Sequence, residues 1–300
     1  MAKIIIGVIF IAIVVWAIVF FTVSGPRSDS LLESRIKVAA SFYIPAEFAR
    51  QIGGERVEVF SITPSGVEPH EYEPTPGEIA EVYSAKLFIY QGGGFDSWAE
   101  RLSGDLRARG VEVVFVMDGL GMKNADPHIW LDPVLAQREA EVIRDALVRA
   151  YPFDADLYKK NSADYLNDFS LLDDEYREGL ARCAKKDFVA SHSAFDYPAK
   201  RYGLSLHSIA GASPEEEPSL GRIAEIVELT RAKDIKYIFT EPLASSRAVE
   251  TIARETGAEI LTLNPIEGLT KEDRATGKDY IFLMRENLKN LRQALSCNAK

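Results

Sequence analysis

The sequence has little histidine, little cysteine and an excess of negative charge. Its 300 residues include four histidines and two cysteines, and 35 basic residues stand against 45 acidic ones, giving a net charge of −10. This balance argues against non-specific nucleic-acid binding. A His-Glu-x-x-His motif is missing, and with it the usual signature of a helical zinc hydrolase. Cys183 and Cys297 either form a disulfide or remain two free buried thiols.

Charge is absent from residues 4–23, a run rich in Ile, Val and Phe that is long enough to span a bilayer as a helix. We interpret residues 1–26 as a signal peptide or an uncleaved membrane anchor, followed by a tether at residues 27–35. A buried core helix is the alternative. Because no cysteine lies near this run, a lipid-modified N-terminus is not expected. The rest of the chain is therefore predicted to work outside the cytoplasmic membrane, in the periplasm or at the cell surface.

Short apolar runs alternate with helical patterns along the chain, which predicts an α/β fold of mostly parallel sheets flanked by helices. The first predicted strands lie at residues 36–40, 57–62, 87–90 and 111–116. Parts of residues 38–53 and 86–90 recur with similar residues 150 positions later. This repetition supports two lobes of similar topology, at residues 36–150 and 185–300.

A long helix is predicted between the lobes, at residues 154–184. The segment contains no proline and a single glycine, Gly179. Its apolar residues recur at steps of three, four and seven, at Tyr158, Tyr165, Phe169, Leu172, Tyr176 and Leu180. We interpret it as a rigid connector; a helix buried along one domain is the alternative.

Three histidines stand where a metal site could form. His70 and His128 each follow a proline, which stiffens the loop that displays the imidazole. His192 directly follows a predicted strand. His70 follows the predicted strand at residues 57–62, and His128 follows the one at residues 111–116. All three histidines therefore lie past the carboxyl ends of predicted strands, where open parallel sheets bind ligands. If these ends face each other, the three imidazoles meet in a cleft between the lobes.

A carboxylate would complete a tetrahedral shell around a divalent transition metal. We predict Asp279, in the turn before a terminal helix, with Glu241 as the competing carboxylate at another strand end. Glu71 and Glu73 are weaker rivals. His207 lies in an alternating strand pattern and is predicted to be structural.

Four segments carry a resemblance to a known family. They are Val38-Ala39-Ala40-Ser41-Phe42-Tyr43-Ile44-Pro45, Pro69-His70-Glu71-Tyr72-Glu73-Pro74-Thr75-Pro76, Asp126-Pro127-His128-Ile129-Trp130-Leu131-Asp132-Pro133 and Ser191-His192-Ser193-Ala194-Phe195. The chain after residue 35 resembles the zinc/manganese-type solute-binding proteins of ABC importers. The resemblance implies two α/β lobes joined by one long helix, with a metal between them for delivery to a membrane permease. It matches His70, His128, His192 and Asp279 to the four ligand positions.

The chain departs from the family pattern in one respect. Many zinc members carry a His-rich acidic loop ahead of the second histidine motif, whereas residues 119–126 here are short and hold no histidine. Manganese members often have a carboxylate at the position of His192. Because a third histidine is a softer donor than oxygen, zinc is favoured and manganese is the alternative.

The functional prediction is an extracytoplasmic metal-binding protein that acts as a monomer, without catalysis, and hands its metal to an ABC permease. A zinc-dependent hydrolase is an alternative, because three protein ligands and a water make a catalytic site. If Asp279 fills the fourth position, no position remains for that water. A metal-binding adhesin is a further alternative that the resemblance allows.

Overall fold

The computed structural model describes residues 35–298. The predicted leader at residues 4–23 and nearly all of the predicted tether lie outside the described residues. Among the helices of the described part, none has both the length and the apolar character that a membrane span requires.

The first lobe is built on a sheet of four parallel strands in the order β2-β1-β3-β4. Its strands are β1 (Ile36–Ala40), β2 (Val57–Ser61), β3 (Leu87–Tyr90) and β4 (Glu112–Phe115). Its helices are α1 (Tyr43–Gly53), α2 (Pro76–Ser84), α3 (Ser97–Ala108), α4 (Val116–Gly119) and α5 (Pro133–Ala150).

The second lobe repeats this arrangement, with four parallel strands in the order β6-β5-β7-β8. Its strands are β5 (Asp187–Ala190), β6 (Ser205–Ser208), β7 (Tyr237–Thr240) and β8 (Glu259–Thr262). Its helices are α7 (Asp196–Arg201), α8 (Leu220–Ala232), α9 (Arg247–Thr256), α10 (Lys271–Thr276) and α11 (Tyr280–Ala294). The predicted fold class is confirmed, and the recurring stretches fall on equivalent strands.

Both faces of each sheet are covered, as expected for parallel strands linked by helices. Val38 and Ile89 belong to one apolar core, whereas their neighbours Ala39 and Phe88 belong to a second core on the opposite face. The first of these cores continues into the second lobe, where it includes Phe239. The two sheets therefore share a hydrophobic core.

The long helix α6 (Ala155–Leu180) lies between the two lobes. Its buried aromatic residues recur as the sequence pattern predicts. The Phe169 ring lies 5.4 Å from the Phe48 ring of α1 and 5.5 Å from the Tyr280 ring of α11, measured between centroids. The Tyr176 hydroxyl donates to the Met284 carbonyl at 2.6 Å. Since the helix contacts both lobes along its length, it is the predicted connector rather than a helix of one domain.

A disulfide joins Cys183 and Cys297, so the first of the two alternatives for these cysteines is the observed one. Cys183 follows the end of α6 and Cys297 follows the end of α11. The bond therefore ties the start of the second lobe to its end and encloses all four of that lobe's strands.

Candidate metal centre

The four donors come from loops at the carboxyl ends of strands. His70 lies in the loop between β2 and α2, and His128 in the loop between α4 and α5. His192 stands two residues past the end of β5. Glu267 lies in the segment after β8. Each lobe therefore supplies two side chains, as expected when the carboxyl ends of two parallel sheets face each other.

The ring nitrogens and one carboxylate oxygen converge on a single point. The four donors lie within 4.8 Å of one another. The His128 Nε2 atom is 3.2 Å from His70 Nε2 and 3.4 Å from His192 Nε2. The Glu267 Oε1 atom lies 3.2, 3.1 and 3.4 Å from the Nε2 atoms of His70, His128 and His192. His128, His192 and Glu267 are almost wholly buried.

These distances fit a tetrahedral zinc site. Zinc binds imidazole nitrogen and carboxylate oxygen at about 2.0–2.1 Å, so neighbouring donors of a regular tetrahedron are about 3.3 Å apart. The five measured edges of the donor group fall between 3.1 and 3.4 Å. The sixth edge, between the donor atoms of His70 and His192, is no longer than 4.8 Å.

Carboxylates behind two of the rings orient the donors. The Nδ1–H of His128 donates to Asp126 Oδ1 at 2.9 Å, and the Nδ1–H of His192 donates to both Glu241 oxygens at 2.8 Å. A proton on Nδ1 leaves the lone pair of Nε2 free for a metal. Glu241 therefore lies behind His192 and is not itself one of the converging donors.

In the metal-free state the donor group is strongly charged. Burial alone would lower the pKa of His192, but hydrogen bonds and charges from Glu241 and Glu267 outweigh burial and raise this pKa to about 10. The pKa of His128 is also raised against burial, by its bonds to Asp126 and Glu267. Burial would raise the pKa of Glu267, but hydrogen bonds from the three histidines lower it well below its usual value. The carboxylates around the rings therefore favour positive charge at the point where the donors converge.

Glu68 adds a half-buried carboxyl beside this group. Burial and the charge of Glu267 raise its pKa to about 9, so it is protonated at neutral pH. Its Oε1 accepts from the backbone N–H of His70 at 3.0 Å, which fixes the loop that carries this histidine.

The structure does not place Asp279 with the other predicted ligands. Its side chain is exposed and caps α11, where Oδ1 accepts from the Phe282 N–H at 2.7 Å. A carboxylate in front of a helix satisfies one of the free N–H groups of the first turn, and this explains its position. Glu267 occupies the place in the donor group that was predicted for Asp279.

Glu267 was not among the residues predicted to bind a metal. One signal was available, because Asn264-Pro265-Ile266-Glu267-Gly268 follows β8 directly, at a strand end like the other donors. The short helix α10, which the sequence analysis did not predict, separates this segment from Asp279. His207 pairs with Asp187 at 2.9 Å, away from the donor group, as its structural interpretation predicts.

Comparison with known proteins identifies relatives over most of the chain. The family model described as ZnuA, zinc-uptake complex component A, periplasmic, matches residues 38–294. The high-affinity zinc uptake system protein ZnuA of Bacillus subtilis is 36% identical over 280 residues, which cover 87% of this chain and 88% of the relative. The zinc-binding lipoprotein AdcA of Streptococcus pneumoniae is 34% identical over 280 residues. The match covers 87% of this chain but 56% of AdcA, so the chain spans little more than half of that relative.

A solved structure shows the same fold. The Zn(II)-bound ZnuA-like domain of Streptococcus pneumoniae AdcA is 37% identical, with a TM-score of 0.78, and the match covers 87% of this chain and 99% of that domain. Sequence match and structural similarity agree over both lobes. The chain therefore belongs to the ZnuA family of periplasmic zinc-uptake components.

Proposed function

We propose that this protein captures a divalent transition metal, with zinc favoured, between its two lobes and delivers it to an ABC importer. The ligands are His70, His128, His192 and Glu267. The observation that carries the proposal is the spacing of the four donors, since five of their six separations match the edge of a zinc tetrahedron and all six are within 4.8 Å. The zinc-binding names of the AdcA and ZnuA relatives support the same metal.

Zinc is favoured over manganese because of the donor types. Three imidazole nitrogens and one carboxylate suit zinc, whereas manganese prefers oxygen-rich sites. Charge also favours capture of a cation, since Glu267 is ionised and its partners are neutral imidazoles once a metal has displaced their protons. The His70 side chain is 9% exposed, whereas those of His128 and His192 are fully buried. An arriving ion therefore meets His70 first.

The proposed location outside the cytoplasmic membrane is supported by the periplasmic description of the family. Residues 1–26 serve in this proposal as a signal peptide or anchor, and residues 35–298 act outside the cytoplasmic membrane. Because one chain supplies all four donors, the binding unit is a monomer. The partner is the permease of an ABC importer, which receives the metal when the lobes release it.

The hydrolase alternative has less support. Four protein donors fill a tetrahedral shell, and a catalytic zinc needs an open position for water. Glu241, the side chain that would have to act as a base, is held by the His192 ring. The adhesin alternative gains no support from the donor group, because these side chains could hold a metal but do not form a surface for another protein.

The test with the largest expected change in zinc affinity compares substitutions at two carboxylates. Glu267→Gln should weaken zinc binding roughly 100- to 1,000-fold, because one of four ligands that share about 10–16 kcal/mol is lost. Asp279→Asn should leave it unchanged within about twofold. Competition titrations with a chromophoric chelator, beside elemental analysis of the purified full-length protein, measure both effects. Equal losses in the two variants, or wild-type protein without one bound zinc, would contradict the proposed site.

A thermal measurement supplies an independent check. Zinc should raise the melting temperature of the wild-type protein, because a ligand of the folded state alone stabilises it by mass action. His128→Ala should abolish most of this increase, whereas His207→Ala should retain it. An increase of wild-type size in His128→Ala would exclude that ring as a ligand.

A further inference from the structure

The carboxylate donor Glu267 follows a strained backbone position. Ile266 has a φ of 59°, in the left-handed region that β-branched residues rarely adopt. Such a conformation persists only where the surrounding structure enforces it. Ile266 is fully buried and directly precedes Glu267. The contacts that hold this turn therefore also decide where the Glu267 carboxylate points.

One set of contacts comes from the same lobe. The Ile266 N–H donates to Asn264 Oδ1 at 2.8 Å. Asn287 of α11 holds the backbone of Asn264 at both ends: its Oδ1 accepts from the Asn264 N–H at 2.8 Å, and its Nδ2 donates to the Asn264 carbonyl at 2.7 Å. These bonds fix the beginning of the turn and leave the Pro265 carbonyl to another partner.

That partner comes from the other lobe. The indole Nε1–H of Trp130 donates to the Pro265 carbonyl at 2.7 Å, and the Trp130 carbonyl accepts from the Tyr280 hydroxyl at 2.6 Å. Trp130 is fully buried, and its ring lies 5.1 Å from the Phe42 ring and 5.2 Å from the His128 ring, between centroids. Trp130 stands two residues after His128 and holds the residue two positions before Glu267.

We propose that Trp130 is a positioning residue for Glu267, and that its indole N–H holds the Ile266 turn in the conformation that brings the carboxylate to the histidines. This inference rests on the proposed metal site, since it concerns the hydrogen bond that positions the fourth ligand, Glu267. Trp130 is not itself one of the four proposed ligands. Through the bond from its indole N–H to the Pro265 carbonyl, it links the segment of His128 in the first lobe to that of Glu267 in the second.

The variant that tests this is Trp130→Phe, which keeps a buried aromatic ring and removes the N–H donor. Trp98→Phe is the matched control, because Trp98 is also a buried tryptophan of the first lobe and packs against Phe88 instead of the metal site. Each substitution is combined with Glu267→Gln in a double-mutant cycle on the full-length protein, with zinc affinity as the measured quantity.

Loss of one buried hydrogen bond should weaken zinc binding about five- to tenfold in Trp130→Phe. In the Glu267→Gln background the same substitution should cost less than about twofold, because no carboxylate remains to be positioned. Trp98→Phe should change affinity by less than about twofold in both backgrounds. If Trp130→Phe weakens binding by the same factor with and without Glu267, its role is general packing and the proposal is wrong.

A measurement without metal separates this proposal from the proposed site. Amide hydrogen exchange at Asn264 and Ile266 should be severalfold faster in metal-free Trp130→Phe than in wild type, and unchanged in Trp98→Phe. Unchanged exchange in Trp130→Phe would overturn the positioning role even if zinc binds as proposed. Faster exchange together with a Glu267→Gln protein of wild-type zinc affinity would instead reject Glu267 as a ligand.

Discussion

The two lobes share strand order and direction, but they present their donors in different ways. In the second lobe His192 follows the inner strand β5 at the second position past its end, and its ring is fully buried. In the first lobe His70 stands on a long loop after the edge strand β2, which ends at Ser61, and its side chain is partly exposed. Among the described residues no side chain holds the Nδ1 atom of His70, whereas Glu241 holds that of His192.

In the proposed function, this difference would let one fold both capture a metal ion and hold it. A donor close to the end of an inner strand, such as His192, has its backbone position fixed by the sheet. A donor on a long edge loop, such as His70, lies nearer to the surface, since its side chain is 9% exposed. The same sheet topology thus supplies a fixed and a reachable ligand, depending on the strand that the loop follows.

The two lobes also differ in covalent closure. The Cys183–Cys297 bond, with a sequence separation of 114 residues, closes a loop around the second lobe, and the described part of the first lobe has no such link. Replacing both cysteines by serine should lower the free energy of unfolding by about 4–5 kcal/mol, because a closed loop of roughly this length restricts the unfolded chain. Zinc affinity should change less than about threefold. Urea denaturation with and without a reductant measures the first quantity.

The control for this prediction is the doubly substituted protein in reductant, which should behave as it does without reductant. Wild-type protein that unfolds at the same urea concentration in both conditions would show that the second lobe does not depend on its closure.

The carboxylates behind the rings give a finer comparison of the lobes. Glu241→Gln and Asp126→Asn each remove the charge that holds a ligand ring, and outer partners of this kind are worth about 10–100-fold in metal affinity. We expect the larger loss for Glu241→Gln, because both its oxygens accept from His192 and it is buried, whereas Asp126 is half-buried and bonds through Oδ1 alone. Chelator competition measures both affinities.

Asp187→Asn is the matched control, since Asp187 holds His207 at 2.9 Å in the same kind of pair away from the site. It should leave zinc affinity unchanged. A loss in Asp187→Asn as large as that in Glu241→Gln would mean that the effect comes from the stability of the second lobe and not from ring orientation.

Much of the fold and part of the donor group could be predicted from the sequence. Alternating apolar runs locate the strands, and the spacing of Tyr158, Phe169 and Tyr176 locates the long helix, because both signals are local. His70, His128 and His192 stand out because they follow strand ends in a chain with few histidines. The pairing of Cys183 with Cys297 depends on how the second lobe folds back on itself, which their spacing does not reveal.

Local patterns could not distinguish Asp279 from Glu267 as the carboxylate of the proposed metal site. An acidic residue in front of a helix, such as Asp279, has the same sequence signal whether it binds a metal or caps the helix. Glu267 reaches the histidines because Ile266 adopts a left-handed conformation, and sequence propensity predicts the opposite for a β-branched residue. Contacts from the other lobe decide this turn, so its direction is a property of the assembled fold.

The pH dependence of zinc binding distinguishes histidines with ordinary pKa values from the histidines of the assembled site. Unperturbed imidazoles would lose zinc as pH falls through about 6.5 and show constant affinity above it. In the folded metal-free protein the pKa of His192 is raised to about 10 and that of His128 is also raised. Zinc must therefore displace protons at neutral pH, and its affinity should rise about tenfold per unit from pH 6 to 8 for each proton released.

The stability of the metal-free protein should change with pH in the opposite direction to its zinc affinity. A raised histidine pKa stabilises the folded state fully below about pH 6.5, and this contribution is lost as pH rises toward 10. The melting temperature of metal-free protein should thus fall over this range while the increase produced by zinc grows. His207→Gln is the control and should leave the slope unchanged. An affinity that stays constant from pH 6.5 to 8 would show that the carboxylates of the assembled site do not hold protons on its rings.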